Sequence, residues 1–257
     1  MTSASTTLTT KHEAILAKLV ALEAAGELVG IFGDVPDEVY NDPRCPGIRS
    51  GLIKSIVSKS YSHAMAEKAK QTDDLAFGIR FHRFFLEPDR DTEIQSPSEK
   101  LAMMVMSRKL RAHPDVKERM DGARFEVTCF SKCRTTGLTK RCRIDILQVG
   151  KCITDLKTAR DASRSAFARD AKKYAYRISA AHYVGIWYDL TGQYLPFDFI
   201  AAEKTDPHEP AVYRASARSL SLGEEECAAA MRVLLDVKQN GSKAWTGYPR
   251  GGADLEI

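Results

Sequence analysis

From residue 10 onward, apolar positions follow one of two spacings. Ile15, Leu16, Leu19, Val20 and Leu22 recur at helical intervals behind Thr10 and Glu13, a capping-box pair, and the stripe stops near Gly26. Residues 1–9 are polar and patternless, so disorder is expected there. Residues 30–50 carry Gly30, Gly33, Pro36, Pro43, Pro46 and Gly47 and predict an irregular connection. Helical spacing predicts helices over 50–70, 73–86 and 98–109, the last filled by Met103, Met104 and Met106. Pro114 and Asp115 mark another helix start. The period then changes to two over 124–130, and again over 141–147 and 152–157, two runs around a turn with Gly150 that read as a β-hairpin. Further on, 174–190 predicts a helix, 196–201 and 211–215 predict strands, and 222–239 predicts an amphipathic helix closed by Gly241. Trp245 and Tyr248 form an aromatic tail expected to pack on the sheet. This order implies an α/β fold, a mixed central sheet flanked by helices, with no internal repeat.

The hairpin carries the chemistry. Alternation places Arg143, Asp145 and Leu147 on one face and Cys142, Ile144 and Ile146 on the other. On the return strand Ile153, Asp155 and Lys157 share a face, opposite Cys152, Thr154 and Leu156. Two carboxylates and a lysine in such an apolar setting need pairing or a metal. Oxygen donors of this kind suit Mg²⁺ or Mn²⁺, and Lys157 could then orient a water for phosphodiester cleavage. A buried Asp–Lys ion pair bracing the sheet is the alternative. Asp-x-Lys alone is uninformative, since Asp115-Val116-Lys117 and Asp236-Val237-Lys238 repeat it in helical settings. Past the hairpin, Arg160, Arg164, Arg169, Lys172, Lys173 and Arg177 put six cations within eighteen residues. Phosphate neutralisation or a solvated helix face would both explain them.

Composition narrows the class. The 257 residues suit one main domain over 46–257, preceded by a tail, helix and connection over 1–45. No run approaches a membrane span, and the polar start lacks a secretory signal's apolar core. Six cysteines without a Cys-x-x-Cys pair argue against an iron–sulfur cluster and for reduced thiols in the cytoplasm. A net charge of +4 is mild, so any nucleic-acid binding must come from the distribution of charge.

Asp145 followed after a nine-residue gap by Asp155-x-Lys157 resembles the PD-(D/E)xK nuclease signature, with Ile144 where the proline usually stands. Gly78-Ile79-Arg80-Phe81-His82, Leu86-Glu87-Pro88, Cys142 to Asp145, Asp155 to Thr158 and Tyr176 to Tyr183 resemble, in order, the exonuclease VIII-like nucleases of phage recombination. These are distantly similar to lambda exonuclease and RecB-type nuclease domains. The resemblance implies a restriction-endonuclease-like fold and a Mg²⁺-dependent 5′→3′ exonuclease on linear double-stranded DNA, leaving 3′ single strands for recombination by annealing. It implies metal ligation by His82, Asp145, Asp155 and the Leu156 carbonyl, with Glu126 assisting and Lys157 activating water. By its spacing alone, His82 among Phe81, Phe84 and Phe85 would read as a core residue. Tyr183 matches the tyrosine of a Gln-x-x-x-Tyr helix motif, but Ser179 replaces its glutamine. Arg143, Ser179 and the basic segment are the expected DNA contacts. Phage or bacterial origin, a homo-oligomeric ring around DNA and a single-strand annealing partner are implied as well. An endonuclease or RecB-like repair nuclease on the same fold, or a non-catalytic DNA-binding module, are the alternatives.

Overall fold

The computed structural model describes residues 9–33, 35–66 and 72–242. In chain order these form α1 (Thr10–Ala24), β1 (Gly30–Phe32), α2 (Asp37–Tyr40), α3 (Ser50–Ser58), α4 (Tyr61–Ala66) and α5 (Asp73–Leu86). Then come α6 (Pro97–Ala112), α7 (Pro114–Met120), β2 (Arg124–Lys132), β3 (Thr139–Gln148) and β4 (Cys152–Ala159). The chain closes with α8 (Arg164–Lys173), α9 (Tyr176–Thr191), β5 (Phe197–Glu203), β6 (Pro210–Arg214) and α10 (Ala217–Asn240).

The described strands make one six-stranded sheet in the order β1-β2-β3-β4-β5-β6. Every neighbouring pair is antiparallel except β4 and β5. Parallel neighbours require a crossover, and α8 and α9 supply it. One face of the sheet buries Val127, Cys142, Ile144 and Phe199 against Phe167 of α8 and Ala180, Val184 and Trp187 of α9. The other buries Ile146, Leu156 and Ile200 under Phe81 and Phe85 of α5 and Met103, Met106 and Leu110 of α6. Helices on both faces explain why β3 and β4 read as nearly unbroken apolar runs. Among the described residues no helix is long and apolar enough to cross a membrane. All six cysteines are unpaired.

Several sequence expectations are revised. The cap of α1 is Thr9, whose Oγ1 accepts the His12 backbone N–H at 3.3 Å, rather than Thr10. The helix itself packs through Leu16 and Leu19 on Phe130 of β2. The supposed irregular stretch over 30–50 contains β1, paired with β2, and α2, both too short to show a period. The helix expected over 50–70 breaks at Lys59, where Ser60 accepts the His63 backbone N–H to start α4. Residues 1–8 and the Trp245–Tyr248 tail lie outside the described residues.

Alternation along β3 also fails at one point. Ile144 and Leu147 pack against α9, whereas Ile146 lies under α5 and α6. The face therefore switches next to Asp145. Across from it in the ladder, Glu126 has φ 51, a left-handed backbone that no regular strand contains. Strand alternation assumes regular φ and ψ, and here the two strands are locally irregular.

Helix α10 lies directly on α9 at Gly223, where a Cβ would sit 2.3 Å from the Arg177 carbonyl oxygen. Gly223→Ala should therefore destabilise the protein by about 1–3 kcal/mol through overpacking. Urea denaturation checks this, and an unchanged midpoint would show that the two helices separate without loss.

Candidate metal centre and cleft

The β3–β4 ladder runs only from Gln148↔Cys152 to Ile146↔Thr154. Beyond that pair the Asp145 carboxylate takes the place of a ladder acceptor, receiving the Leu156 backbone N–H at 2.7 Å. Glu126 lies between the pairs Phe125↔Ile146 and Val127↔Ile144, opposite Asp145. Its left-handed backbone carries a strain of about 1 kcal/mol, of the sort that gathers at functional sites. His82 comes from α5, with Nε2 2.5 Å from the Leu156 carbonyl oxygen and Nδ1 3.7 Å from Asp145 Oδ2. Gly78, one turn earlier, makes this approach feasible: a Cβ there would lie 3.1 Å from Thr158 Oγ1. One ligand atom each from His82, Glu126 and Asp145 then falls within 4.8 Å of the others.

Electrostatics mark these groups as unsatisfied by protein alone. Burial, reinforced by the Asp145 charge, pushes the Glu126 carboxyl up to about 9 despite opposition from Arg143. Burial likewise pushes Asp145 up to about 6, with His82 opposing and Asp155 reinforcing. A buried carboxyl, Asp145, and a half-buried one, Glu126, that repel each other beside an imidazole are a donor set that a divalent cation would satisfy. Asp155, close enough to raise Asp145, is in an ion pair with Lys157 Nζ, two residues along β4. Burial works against the Lys157 ammonium, but Asp155 and Asp145 outweigh it and hold the group protonated well above the ordinary lysine range. The structure thus places His82, Glu126 and Asp145 as one trio and Asp155 with Lys157 as the adjoining pair.

This site opens on a cleft of about 1000 Å³ lined by His82, Glu126, Leu156 and Lys157. Of the residues expected to contact DNA, Arg143, Arg160, Arg169 and Lys173 line it as well. Arg143 is largely buried there, held by Asp37 and the Val35 carbonyl and facing the Tyr40 ring at 4.3 Å. Arg160 donates to Asp74 at 3.0 Å. Arg164 and Lys172 are exposed on α8 outside the cleft lining. Arg177 is committed to Glu226 of α10, and Ser179 Oγ lies 3.3 Å from Ser50 Oγ. Those two side chains brace helices outside the cleft lining, Arg177 against α10 and Ser179 against α3. Tyr183 is half-buried, edge-on to Phe197 at 6.1 Å. Burial pushes its hydroxyl well above the ordinary range, with Tyr40, Asp155 and Asp145 adding to the effect.

Sequence reasoning missed three neighbours of the site. Asp37 and Tyr40 fell in the stretch taken as irregular, and no periodicity could have revealed a four-residue helix. The third is Lys54, within the helix expected over 50–70. It is half-buried with Nζ 5.5 Å from the Tyr176 ring centroid, and burial together with Lys157 pushes its ammonium down to about 8. Its place at the border of the Ile53–Ile56 apolar stripe was the available signal.

A mixed sheet whose parting strands present Asp145, Asp155 and Lys157, with His82 delivered from a facing helix, defines a PD-(D/E)xK-type domain. The chain belongs to the family described as PDDEXK-like domain of unknown function (DUF3799), whose model matches residues 54–247. No curated protein matches the sequence. In fold the chain is similar to a provisionally named exonuclease from Eubacterium rectale, with a TM-score of 0.66 at 15% identity over 86% of this chain and 91% of that one. A phage-related exonuclease from Haemophilus somnus 129PT also matches, with a TM-score of 0.35 at 14% identity over 76% of this chain and 96% of that one.

Proposed function

We propose that the protein is a metal-dependent deoxyribonuclease that degrades linear double-stranded DNA as a 5′→3′ exonuclease, leaving 3′ single strands for recombination by annealing. The observation that carries this reading is the convergence of His82, Glu126 and Asp145 within 4.8 Å beside the Asp155–Lys157 pair at the floor of a cleft. Asp155 and the Leu156 carbonyl complete the donor set for Mg²⁺ or Mn²⁺. A cation held there supplies Lewis-acid polarisation of the phosphodiester and a more acidic water. The chain's own residues do the positioning. Asp145 is fixed by the Leu156 N–H, and Leu156 by its contact with His82. Lys157, protonated and anchored by Asp155, donates hydrogen bonds to the attacking water and to the charge building on the phosphate, and does not accept a proton. Arg160, Arg169 and Lys173 hold the backbone of the strand along the wall. The name of the Eubacterium rectale protein favours end-dependent cleavage over internal cutting. A cytoplasmic setting, phage or bacterial origin, a ring of copies around DNA and a single-strand annealing partner belong to the same proposal.

Incubation with linear and covalently closed circular duplexes, each with Mg²⁺ or Mn²⁺, tests it. Progressive loss of the linear form alone is expected, with retention of its 3′-labelled strand. Cutting of the circle would make the protein an endonuclease, and inertness toward both would leave a DNA-binding module.

A further inference from the structure

Tyr174 sits at the junction of α8 and α9, 49% exposed on the wall of the cleft. Its neighbour Ala175 has φ 47 and ψ 51, a left-handed conformation that side chains with a Cβ rarely adopt. That turn has a consequence for the rings on either side. In a helix, residues two apart point to different faces and cannot meet. Here Tyr174 and Tyr176 stack, with centroids 6.0 Å apart and an interplanar angle of 24°. Tyr176 packs in turn on Phe199 at 5.6 Å, so a column of rings rises from the sheet core and ends in Tyr174 at the cleft. Cations flank both tyrosines: Lys157 Nζ lies 5.6 Å from the Tyr176 centroid, and Lys173 Nζ lies 5.0 Å from that of Tyr174. An aromatic face anchored from behind, open to a cleft and bordered by ammonium groups suits a flat ring carried on a phosphate backbone. A paired base inside a duplex keeps its faces covered by its neighbours and offers nothing to stack on.

We infer that Tyr174 is a stacking platform for an unpaired nucleobase at the end of the DNA strand entering the cleft, with Lys173 on the adjoining phosphate. The inference rests on the DNA-cleaving reading and adds to it a preference for a frayed or single-stranded end. It places Tyr174 in substrate positioning, not in bond cleavage.

The test uses a duplex with a short 5′ overhang carrying 2-aminopurine at its end, mixed with the full-length protein in Ca²⁺. Native protein should quench the fluorescence by stacking, and Tyr174→Ala should abolish the quenching. In Mg²⁺ or Mn²⁺ cleavage assays the same substitution should raise KM about tenfold, with the smaller share of the loss in kcat. Tyr174→Phe keeps the ring and should restore both readouts, which separates stacking from a general loss of structure. Native-like quenching and KM in Tyr174→Ala, while the native protein cleaves DNA, would overturn the platform and leave the nuclease reading standing. A native protein that binds DNA but leaves it intact with every cation would overturn both. Loss of quenching in Tyr174→Phe equal to that in Tyr174→Ala would assign the effect to the hydroxyl and also overturn stacking.

Discussion

Asp145→Asn should remove DNA cleavage by roughly a thousandfold while making the metal-free protein more stable. Both effects come from one carboxylate. Asp145 is buried beside Glu126 and Asp155, and its folded-state value of about 6 lies above the ordinary 3.8. A raised carboxyl contributes stability that is full below about pH 4 and is lost as pH rises through its folded value. For Asp145 that loss runs from about pH 4 to 6, and for Glu126, raised from 4.5 to about 9, it extends further. At pH 8 the charged Asp145 therefore destabilises the metal-free fold by on the order of 2–3 kcal/mol. Asparagine keeps an oxygen to accept the Leu156 N–H and carries no charge. Its melting temperature in EDTA at pH 8 should exceed the native one by roughly 5–10 °C. Native protein should recover that stability on addition of Mn²⁺, because a cation satisfies the same charges, and the variant should recover little. Calorimetry with and without Mn²⁺ checks each part. A variant no more stable than native in EDTA, or a native protein indifferent to Mn²⁺, would remove the metal centre from the account.

The β3–β4 hairpin was legible because its residues obey a period of two and punctuate the turn with Gly150, and the helix over 73–86 because its apolar residues recur at helical spacing. The site was legible in part for the same reason: Asp155 and Lys157 are two apart on one strand, so they meet wherever that strand goes. The resemblance, not periodicity, pointed to His82, whose partner Leu156 is 74 residues away. What remained hidden depends on irregular backbone. The left-handed residues Glu126 and Ala175 redirect a carboxylate and a pair of tyrosines, and propensity gives no sign of either. Arg177 was expected at DNA because a charge run has no direction, and Ser179 because it stands at the glutamine of the resembled helix motif; Glu226 and Ser50, distant in sequence, hold them here. Residues such as Asp37 and Tyr40 act through tertiary contacts with Arg143 and sit on a helix of four residues, below the length at which a pattern exists.

Lys157→Gln should move two measurements in opposite directions. Lys157 is the ammonium that Asp155 anchors and Asp145 reinforces, and the two hold it protonated above the ordinary lysine range. Removing it takes a donor from the attacking water and from the phosphate as charge develops, and kcat should fall by roughly a hundredfold or more. The same change takes a positive charge away from Asp145 and Asp155. A unit charge about 4 Å from another is worth about 4 kcal/mol at an effective dielectric near 20, and only part of that survives relaxation. Binding of Mn²⁺, measured calorimetrically without DNA, should therefore tighten by roughly tenfold. A lysine that merely braced the sheet would lower the melting temperature of the variant and leave its affinity for Mn²⁺ unchanged or weaker. Lys157→Arg separates charge from shape: it keeps the repulsion toward a cation, so its affinity should stay near native. Its planar fork cannot place a single donor where the ammonium does, so its kcat should still fall. Tightening in the glutamine variant alone, with slow turnover in both, is the pattern that assigns Lys157 to the chemistry; equal affinities in all three proteins would assign it to the scaffold.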